Sequence, residues 1–317
     1  VTHVAAAHEA DLVVIAPATA NTIAKLSNGL ADNVLTSTLL ASRAPVLLVP
    51  SMHTEMWGAK PTQDNLRRLD PARYRFVPPE VGDLASGDHG PGRFPEPADL
   101  VREAACLLSG GDLAGRTLVV TAGPTREHLD PVRVLTNPST GRMGIALAQA
   151  ALVRGASVRL VAGPVSVPLP RPLAFGAGTL SVTRIETTRE LLEAVRAALP
   201  GADALLMAAA PADERPAEPS TSKVRKDDLP ALLRLEANPD ILRTLRHALA
   251  GLVVLAFAAE TDDVEASGAA KREAKDADLL FANPVGAGRG FGSTLNEGVL
   301  VGADGFRLDV PPCSKDD

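Results

Sequence analysis

Cysteine and aromatic side chains are scarce in this chain, and each scarcity closes off a class of protein. Two cysteines occur in 317 residues, Cys106 and Cys313, far apart and in no Cys-x-x-Cys pair. Neither a disulfide framework nor a cysteine-built zinc site is therefore expected. Aromatic residues make up 3% of the chain, with one tryptophan and one tyrosine, which leaves no platform for stacked nucleobases. Excess positive charge is missing too. Lys and Arg total 32 against 38 Asp and Glu, a formal net charge of -6 and the wrong sign for a general nucleic-acid binder. No apolar run reaches the roughly 20 residues of a membrane-spanning helix, and no basic-then-apolar signal segment opens the chain, so no membrane partner is expected. These absences together fit a cytoplasmic protein.

Hydrophobic residues are plentiful at 45%, so aliphatic and alanine packing must carry the core. The length suits about two domains, at roughly 100 to 200 residues each. In residues 1–108, Asp11-Leu-Val-Val-Ile-Ala-Pro17 and Val46-Leu-Leu-Val-Pro50 read as parallel strands, with one crossover helix expected over 21–42. A glycine-rich joint at 109–115 precedes a second block, 116–317. Its expected strands are Thr117 to Ala122, Val158 to Ala162, Ala204 to Met207, Val253 to Phe257 and Leu279 to Ala282. Pro164 to Pro172 holds four prolines and reads as a surface crossing. Near the end, Gly298-Val-Leu-Val301 and Phe306-Arg-Leu308 flank Ala303-Asp-Gly305, a hairpin signal.

The densest chemistry lies between Thr117 and Gly163, which reads as a phosphate-handling βαβ unit. A short apolar run ends at Gly123, a turn-rich polar loop follows, and Ser139-Thr-Gly-Arg-Met-Gly144 opens an alanine-rich helix whose amino end favours anions. The segment from Thr121 to Arg133, followed by Asn137-Pro-Ser-Thr-Gly-Arg-Met-Gly144, closely resembles the nucleotide loop of phosphopantothenate:cysteine ligases.

Joining a carboxylate to an amine requires activation. A nucleotide supplies it through an acyl-nucleotide intermediate with loss of pyrophosphate, and the amine then displaces the nucleotide monophosphate. The resemblance implies CTP as nucleotide, Mg2+ as its metal, and 4'-phosphopantothenate and L-cysteine as the joined partners. It implies that Asn137 holds the acyl-cytidylate beside Ser139, Gly141 and Gly144. Met207-Ala-Ala-Ala-Pro-Ala-Asp-Glu-Arg-Pro216 and Ser222-Lys-Val-Arg-Lys226 resemble two further family patterns. They carry Met207, Ala208 and Ala209 at the nucleotide, Asp213 as the carboxylate near nucleotide and metal, and Lys223 as a mobile cation. Pro211, Glu214 and Arg225 depart from the pattern. Asn238-Pro-Asp-Ile-Leu242 reads as a helix start with Pro239 in the first turn. By the same resemblance Pro239, Asp240, Ile241, Leu242, Phe257, Lys271 and Lys275 line the nucleotide pocket, with Phe257 at the end of its strand. Asn283 and Gly290-Phe-Gly-Ser293 also fit.

Residues Leu12 to Pro97 resemble the C-terminal two thirds of flavin-dependent phosphopantothenoylcysteine decarboxylases. The motif Pro17-Ala-Thr-Ala-Asn-Thr22 implies that Pro17, Ala18, Thr19 and Asn21 lie against FMN and substrate, and His3 aligns with the family's catalytic histidine. His53 stands where the family has asparagine, and Ser86 where it has a cysteine proton donor. Because a serine hydroxyl is a far weaker acid than a thiol, His53 or His89 is expected to supply the proton. The family's first strand and flavin-phosphate loop have no counterpart here. The expected fold is α/β: a truncated flavodoxin-like doubly wound parallel sheet followed by a Rossmann-like α/β ligase domain, with an impaired decarboxylase half. The resemblance implies a homodimer through the ligase domain and larger assemblies of a full-length parent. Two alternatives remain at this level, a nicotinamide-dependent oxidoreductase and a catalytically inactive regulatory subunit. The first is weakened because Gly-x-Gly-x-x-Gly does not follow Ala122.

Overall fold

The computed structural model describes residues 2–226, 232–261, 263–286, 290 and 293–315. The chain divides into two compact units, residues 1–112 with 173–176, and residues 113–172 with 177–317. Among the described residues, no helix is long and apolar enough to cross a membrane.

The first unit runs α1 (Thr2–Glu9), β1 (Val13–Ala18), α2 (Ala20–Ser27), α3 (Val34–Ala41), β2 (Val46–Pro50), α4 (Thr54–Gly58), α5 (Lys60–Arg68), β3 (Tyr74–Phe76), β4 (Glu80–Asp83), β5 (His89–Arg93) and α6 (Pro97–Leu108). Strands β1, β2 and β3 form a parallel sheet in that order. β2 is buried throughout because both its faces are covered. Val46 and Leu48 point into a cluster with Ile15, Ile23, Leu39 and Leu66, while Leu47 and Val49 join Val77 and Leu100 on the other side. The single helix expected over 21–42 is two helices. Asn28 caps α2, Gly29 takes φ +66, and Asn33 restarts the chain through a capping box with Thr36. The apolar spacing continued across a gap that these local hydrogen bonds impose.

The segment 173–176, which follows the proline-rich crossing, belongs to the first unit. Its Phe175 packs against the Leu47 cluster, and the Ala174 N–H donates to Glu103 Oε1 at 2.7 Å. Burial pushes the Glu103 carboxyl up, against the pull of the Ala174 and Phe175 amides.

The second unit runs β6 (Thr117–Ala122), β7 (Arg126–His128), β8 (Val134–Thr136), α7 (Arg142–Val153), β9 (Ser157–Ala162), β10 (Leu180–Arg184), α8 (Thr188–Ala198), β11 (Ala204–Met207), β12 (Glu214–Pro216), β13 (Leu235–Ala237), α9 (Ile241–Leu245), β14 (Val253–Glu260), α10 (Val264–Ala274), β15 (Leu279–Pro284), β16 (Leu295–Gly302) and β17 (Arg307–Ser314). Eight strands make one sheet in the order β10-β9-β6-β11-β14-β15-β16-β17. Pairing is parallel from β10 to β15, and β16 and β17 close the edge as the expected antiparallel hairpin. The turn-rich stretch after Gly123 is itself a small hairpin, β7 with β8.

Strand order reverses between β6 and β11. From β6 the chain proceeds to β9 and β10 on one side, and from β11 to β14 and β15 on the other. The connections leaving the carboxyl ends of these two neighbours therefore diverge, which opens a crevice where open α/β sheets hold ligands. Gly144 lets α7 close onto that end of β6. A Cβ there would lie 2.4 Å from Thr121 O and 2.6 Å from Ala122 Cβ.

Candidate active site

A cavity of about 510 Å³ occupies this crevice. One wall comes from the loop into α7, including Asn137, Ser139, Gly141 and Arg142, and the other from Met207 to Asp213 after β11. Asn238 to Leu242, the β14 stretch around Phe257, Lys271 and Lys275 of α10, and Lys315 complete it. Segments separated by more than a hundred residues thus converge on one space.

The β11 loop is held by hydroxyls that sequence reasoning did not single out as functional. Thr121 Oγ1, inside an apolar strand, accepts the Ala209 N–H at 3.0 Å, and Thr125 Oγ1 accepts the Ala212 N–H at 2.9 Å. Asn238 Nδ2 donates to Ala212 O at 2.9 Å, and its own N–H donates to Asp213 O at 2.8 Å. Asn137 reaches across the crevice, with Nδ2 donating to Pro211 O at 3.0 Å and Ala210 O at 3.3 Å. Its donors therefore fix the facing loop. The only sequence signal for Thr121 and Thr125 was a buried polar side chain that needs a partner.

Several expected roles take a different geometry. Ser139 Oγ accepts the Gly141 N–H at 3.3 Å and Thr140 Oγ1 the Arg142 N–H at 3.4 Å, so the hydroxyl pair already engages two amides at the amino end of α7. Pro239 lies outside α9, because Asp240 is the N-cap and accepts the Arg243 N–H at 3.1 Å. Ile241 and Leu242 are buried in the main core. Phe257 stands in the middle of β14 rather than at its end, since the strand continues to Glu260, and it packs at 57° on Phe281 with ring centroids 5.8 Å apart. Lys271 is ion-paired with Glu260 at 2.6 Å, and Lys275 caps the carboxyl end of α10. Of Gly290 to Ser293, Phe291 and Gly292 lie outside the described residues.

Lys223 does not line the cavity. It is exposed, next to a fixed point: the Val224 N–H donates to Asp130 Oδ2 at 3.2 Å, and Arg133 Nη1 to Val224 O at 3.2 Å. Asp130 has no exposed surface. Burial works to raise its pKa, but the Val132, Arg133 and Val224 amides and the Arg133 guanidinium together hold it below the usual carboxylate range. Among the described residues no group of three or more His, Cys, Asp or Glu is placed to hold a metal. Asp213 is exposed on the cavity wall.

In the first unit, Pro17, Thr19 and Asn21 are exposed where β1 meets α2, and Ala18 is buried. Thr19 caps α2 through the Thr22 N–H at 3.2 Å. His3 lies in the first turn of α1, and no hydrogen bond among the described residues joins it to the other candidates. His53 and Ser86 are brought together. His53 Nε2 bonds Asp88 Oδ2 at 2.8 Å, its Nδ1 meets Glu55, and Ser86 lies near enough to Asp88 to help lower its pKa. The Asp88 hydrogen bond, with Glu55 adding to it, raises the His53 pKa above the ordinary imidazole value, and His53 in turn lowers that of Asp88. His89 pairs instead with Asp83 at 2.9 Å. The β4–β5 hairpin carrying Ser86 and Asp88 is tied to the loop before α4 by the Met52 N–H and Ser51 Oγ, which donate to Gly92 O at 3.2 and 3.0 Å.

Comparison with known proteins agrees with this division. Residues 1–109 match the family model described as Flavoprotein, and residues 113–317 match the DNA/pantothenate metabolism flavoprotein C-terminal domain. The coenzyme A biosynthesis bifunctional protein CoaBC of Bacillus subtilis is 40% identical over 99% of this chain and 77% of its own. That of Mycobacterium tuberculosis H37Rv is 41% identical over 99% of this chain and 78% of its own. A crystal structure of the C-terminal domain of a CoaBC superimposes with a TM-score of 0.53 at 33% identity, covering 65% of this chain and 91% of the other. These matches favour neither the nicotinamide nor the regulatory alternative. Matched along nearly its whole length, with a flavoprotein half followed by a pantothenate-metabolism half, the chain belongs to the family of bifunctional coenzyme A biosynthesis enzymes.

Proposed function

We propose that the second unit joins 4'-phosphopantothenate to cysteine at the expense of CTP, through an acyl-cytidylate, and that the first unit is the flavin-dependent half that decarboxylates the product. The observation that carries the ligase reading is the crevice at the β6/β11 reversal, which gathers Asn137, the α7 loop, Asp213 and the α10 lysines around one cavity. A nucleotide and an acyl substrate must share one enclosed space for the carboxylate to meet the α-phosphate in line.

Asn137 acts by fixing the Ala210–Pro211 carbonyls on the opposite wall, which holds the reacting groups at constant separation. Lys275 and the α7 end supply positive potential to the triphosphate, while Lys271 shares its charge with Glu260. Magnesium commonly binds through one or two carboxylates plus substrate phosphates, so an exposed Asp213 on the wall suits it without a protein cage. Lys223 reaches the intermediate from outside the cavity, pivoting at the Val224 anchor. In the first unit, the exposed Thr19 and Asn21 side chains and the Pro17–Ala18 backbone fit a flavin edge at the carboxyl end of β1, and FMN bound there supplies two-electron redox chemistry. The imidazolium of His53, held by Asp88, is the available proton donor where Ser86 replaces a thiol.

Pyrophosphate release by the purified chain with Mg2+, 4'-phosphopantothenate and cysteine tests the ligase reading, with CTP and ATP compared. CTP-dependent release with amide product supports it, and a folded chain that releases none refutes it. Quenching of FMN fluorescence on titration with the chain tests the flavin site independently of turnover.

A further inference from the structure

The crevice wall after β11 is fixed by two buried side chains that do not line the cavity, Thr125 and Thr188. Thr188 opens α8, and buried Glu127 accepts its N–H at 2.8 Å, so this donor of the helix start is satisfied without the hydroxyl. The Thr188 hydroxyl donates to Ala212 O at 3.3 Å and lies 2.9 Å from Thr125 Oγ1, which accepts the Ala212 N–H at 2.9 Å. Thr188 has a single hydroxyl proton and gives it to Ala212 O, so the proton between the two hydroxyls belongs to Thr125. A closed ring of three hydrogen bonds therefore grips both backbone polar groups of Ala212, and bonds in such a chain strengthen one another.

The residues on either side are held as closely. The Ala210 N–H donates to Gly123 O at 2.9 Å, and Asn238 engages both Ala212 O and Asp213 O. Thr136, the residue before Asn137, donates its hydroxyl to Thr125 O at 2.6 Å, which ties the ring to the strand that presents Asn137. The Asp213 side chain is the exception. It is exposed on the cavity wall, and no hydrogen bond or ion pair to its carboxylate occurs among the described residues. A backbone held at nearly every polar group, carrying an open carboxylate, is the arrangement of a preorganised ligand.

We propose that Thr125 and Thr188 are positioning residues of the ligation. By fixing the N–H and carbonyl of Ala212 they set where the next residue, Asp213, presents its carboxylate to a magnesium–nucleotide complex. The proposal rests on the reading of Asp213 as the metal carboxylate. Magnesium demands near-ideal geometry at about 2.0 to 2.1 Å, so a carboxylate carried by a loosened backbone binds it less well. Threonine suits the task because its branched β-carbon restricts χ1, and a buried hydroxyl so restrained keeps its direction.

Calorimetric titration of the full chain with CTP, with and without Mg2+, measures the gain in affinity that the metal brings, independently of turnover. Wild type is compared with Thr188→Val, Thr188→Ser, Asp213→Asn and the double variant Thr188→Val/Asp213→Asn. Thr188→Val is expected to leave metal-free CTP affinity nearly unchanged and to cut the Mg2+-dependent gain by about 5- to 30-fold, as for loss of a buried hydrogen bond. Thr188→Ser keeps the hydroxyl and most of the gain, and valine adds no loss once Asp213 is asparagine. If the valine chain does not fold, Thr188→Ala removes the same hydroxyl and carries the test. An undiminished gain in the valine chain overturns the positioning role, as do equal losses with and without metal, or losses that multiply in the double variant. In each of these cases a gain abolished by Asp213→Asn leaves Asp213 at the metal. A wild-type chain without the gain, or an Asp213→Asn chain with all of it, overturns the reading of Asp213 and the positioning role together.

Discussion

The Asp130 carboxylate accepts the Val224 N–H at 3.2 Å from 94 residues further along the chain. It also accepts the Val132 and Arg133 amides at 2.8 Å and pairs with the Arg133 guanidinium at 2.7 Å. Through this one buried side chain, the β7–β8 hairpin turn fixes the base of the Lys223 segment.

Asp130→Asn keeps the size but loses the charge that the amides and Arg133 recognise. We expect amide formation to fall by about tenfold or more, with the nucleotide KM nearly unchanged, because the loss of a charged hydrogen-bond network releases Lys223 rather than the cavity. Lys223→Gln is expected to give the same kcat loss, and the double variant no further loss. Steady-state kinetics of the three variants check this, and additive losses would separate the two residues.

Asn137→Asp replaces two N–H donors with oxygen, so the Ala210 and Pro211 carbonyls lose their partner and a negative charge enters an anion-binding crevice. Amide product is expected to fall by about 100-fold or more. Single-turnover assays with CTP, separating pyrophosphate from amide, locate the blocked step. Turnover close to wild type would remove Asn137 from the site.

Gly144→Ala places a methyl group 2.4 Å from Thr121 O, a backbone atom that cannot swing away. The expected cost is about 1 to 3 kcal/mol, read as a lower midpoint in urea. Since α7 must retreat from β6, nucleotide affinity should fall as well. A variant of wild-type stability would show that the helix does not bear on that strand end.

The His53 clamp has a defined pH dependence. Its folded-state pKa is raised above the ordinary 6.5, so its contribution to stability is complete below that value and disappears as pH rises through the folded pKa. The Asp88 pKa is lowered from 3.8, so its contribution is present above that value and disappears on acidification. The hairpin carrying Ser86 should therefore be held most firmly between these limits. Proton NMR titration of the His53 ring gives the upper limit directly. Asp88→Asn should bring that midpoint back toward 6.5, and an unmoved midpoint would mean that Asp88 does not hold the ring.

Much of the second unit was legible because buried parallel strands are short and apolar, as Thr117 to Ala122 and Ala204 to Met207 illustrate. The residues that converge on the crevice were legible through resemblance. Their contacts were not, since Asn137 reaching Pro211 or Thr121 holding Ala209 depends on strand order. Local hydrogen bonding also escaped the apolar pattern. Asn33 broke an expected helix in two, and Asp240 placed a helix start two residues after Asn238. Lys315 carried no motif at all, and only the folding back of β17 brings it to the cavity.

The packing of half-buried Phe175 against the cluster beneath β2 bears on any attempt to divide the protein into separate pieces. The chain leaves the first unit at residue 112, returns to it at 173 and leaves again after 176. A cut at 112 therefore gives a first fragment lacking one of its own packing residues and a second fragment displaying an orphan aromatic. Fragment complementation is the natural outcome of such a cut: mixed together, the pieces have a ring and a socket by which to reassociate.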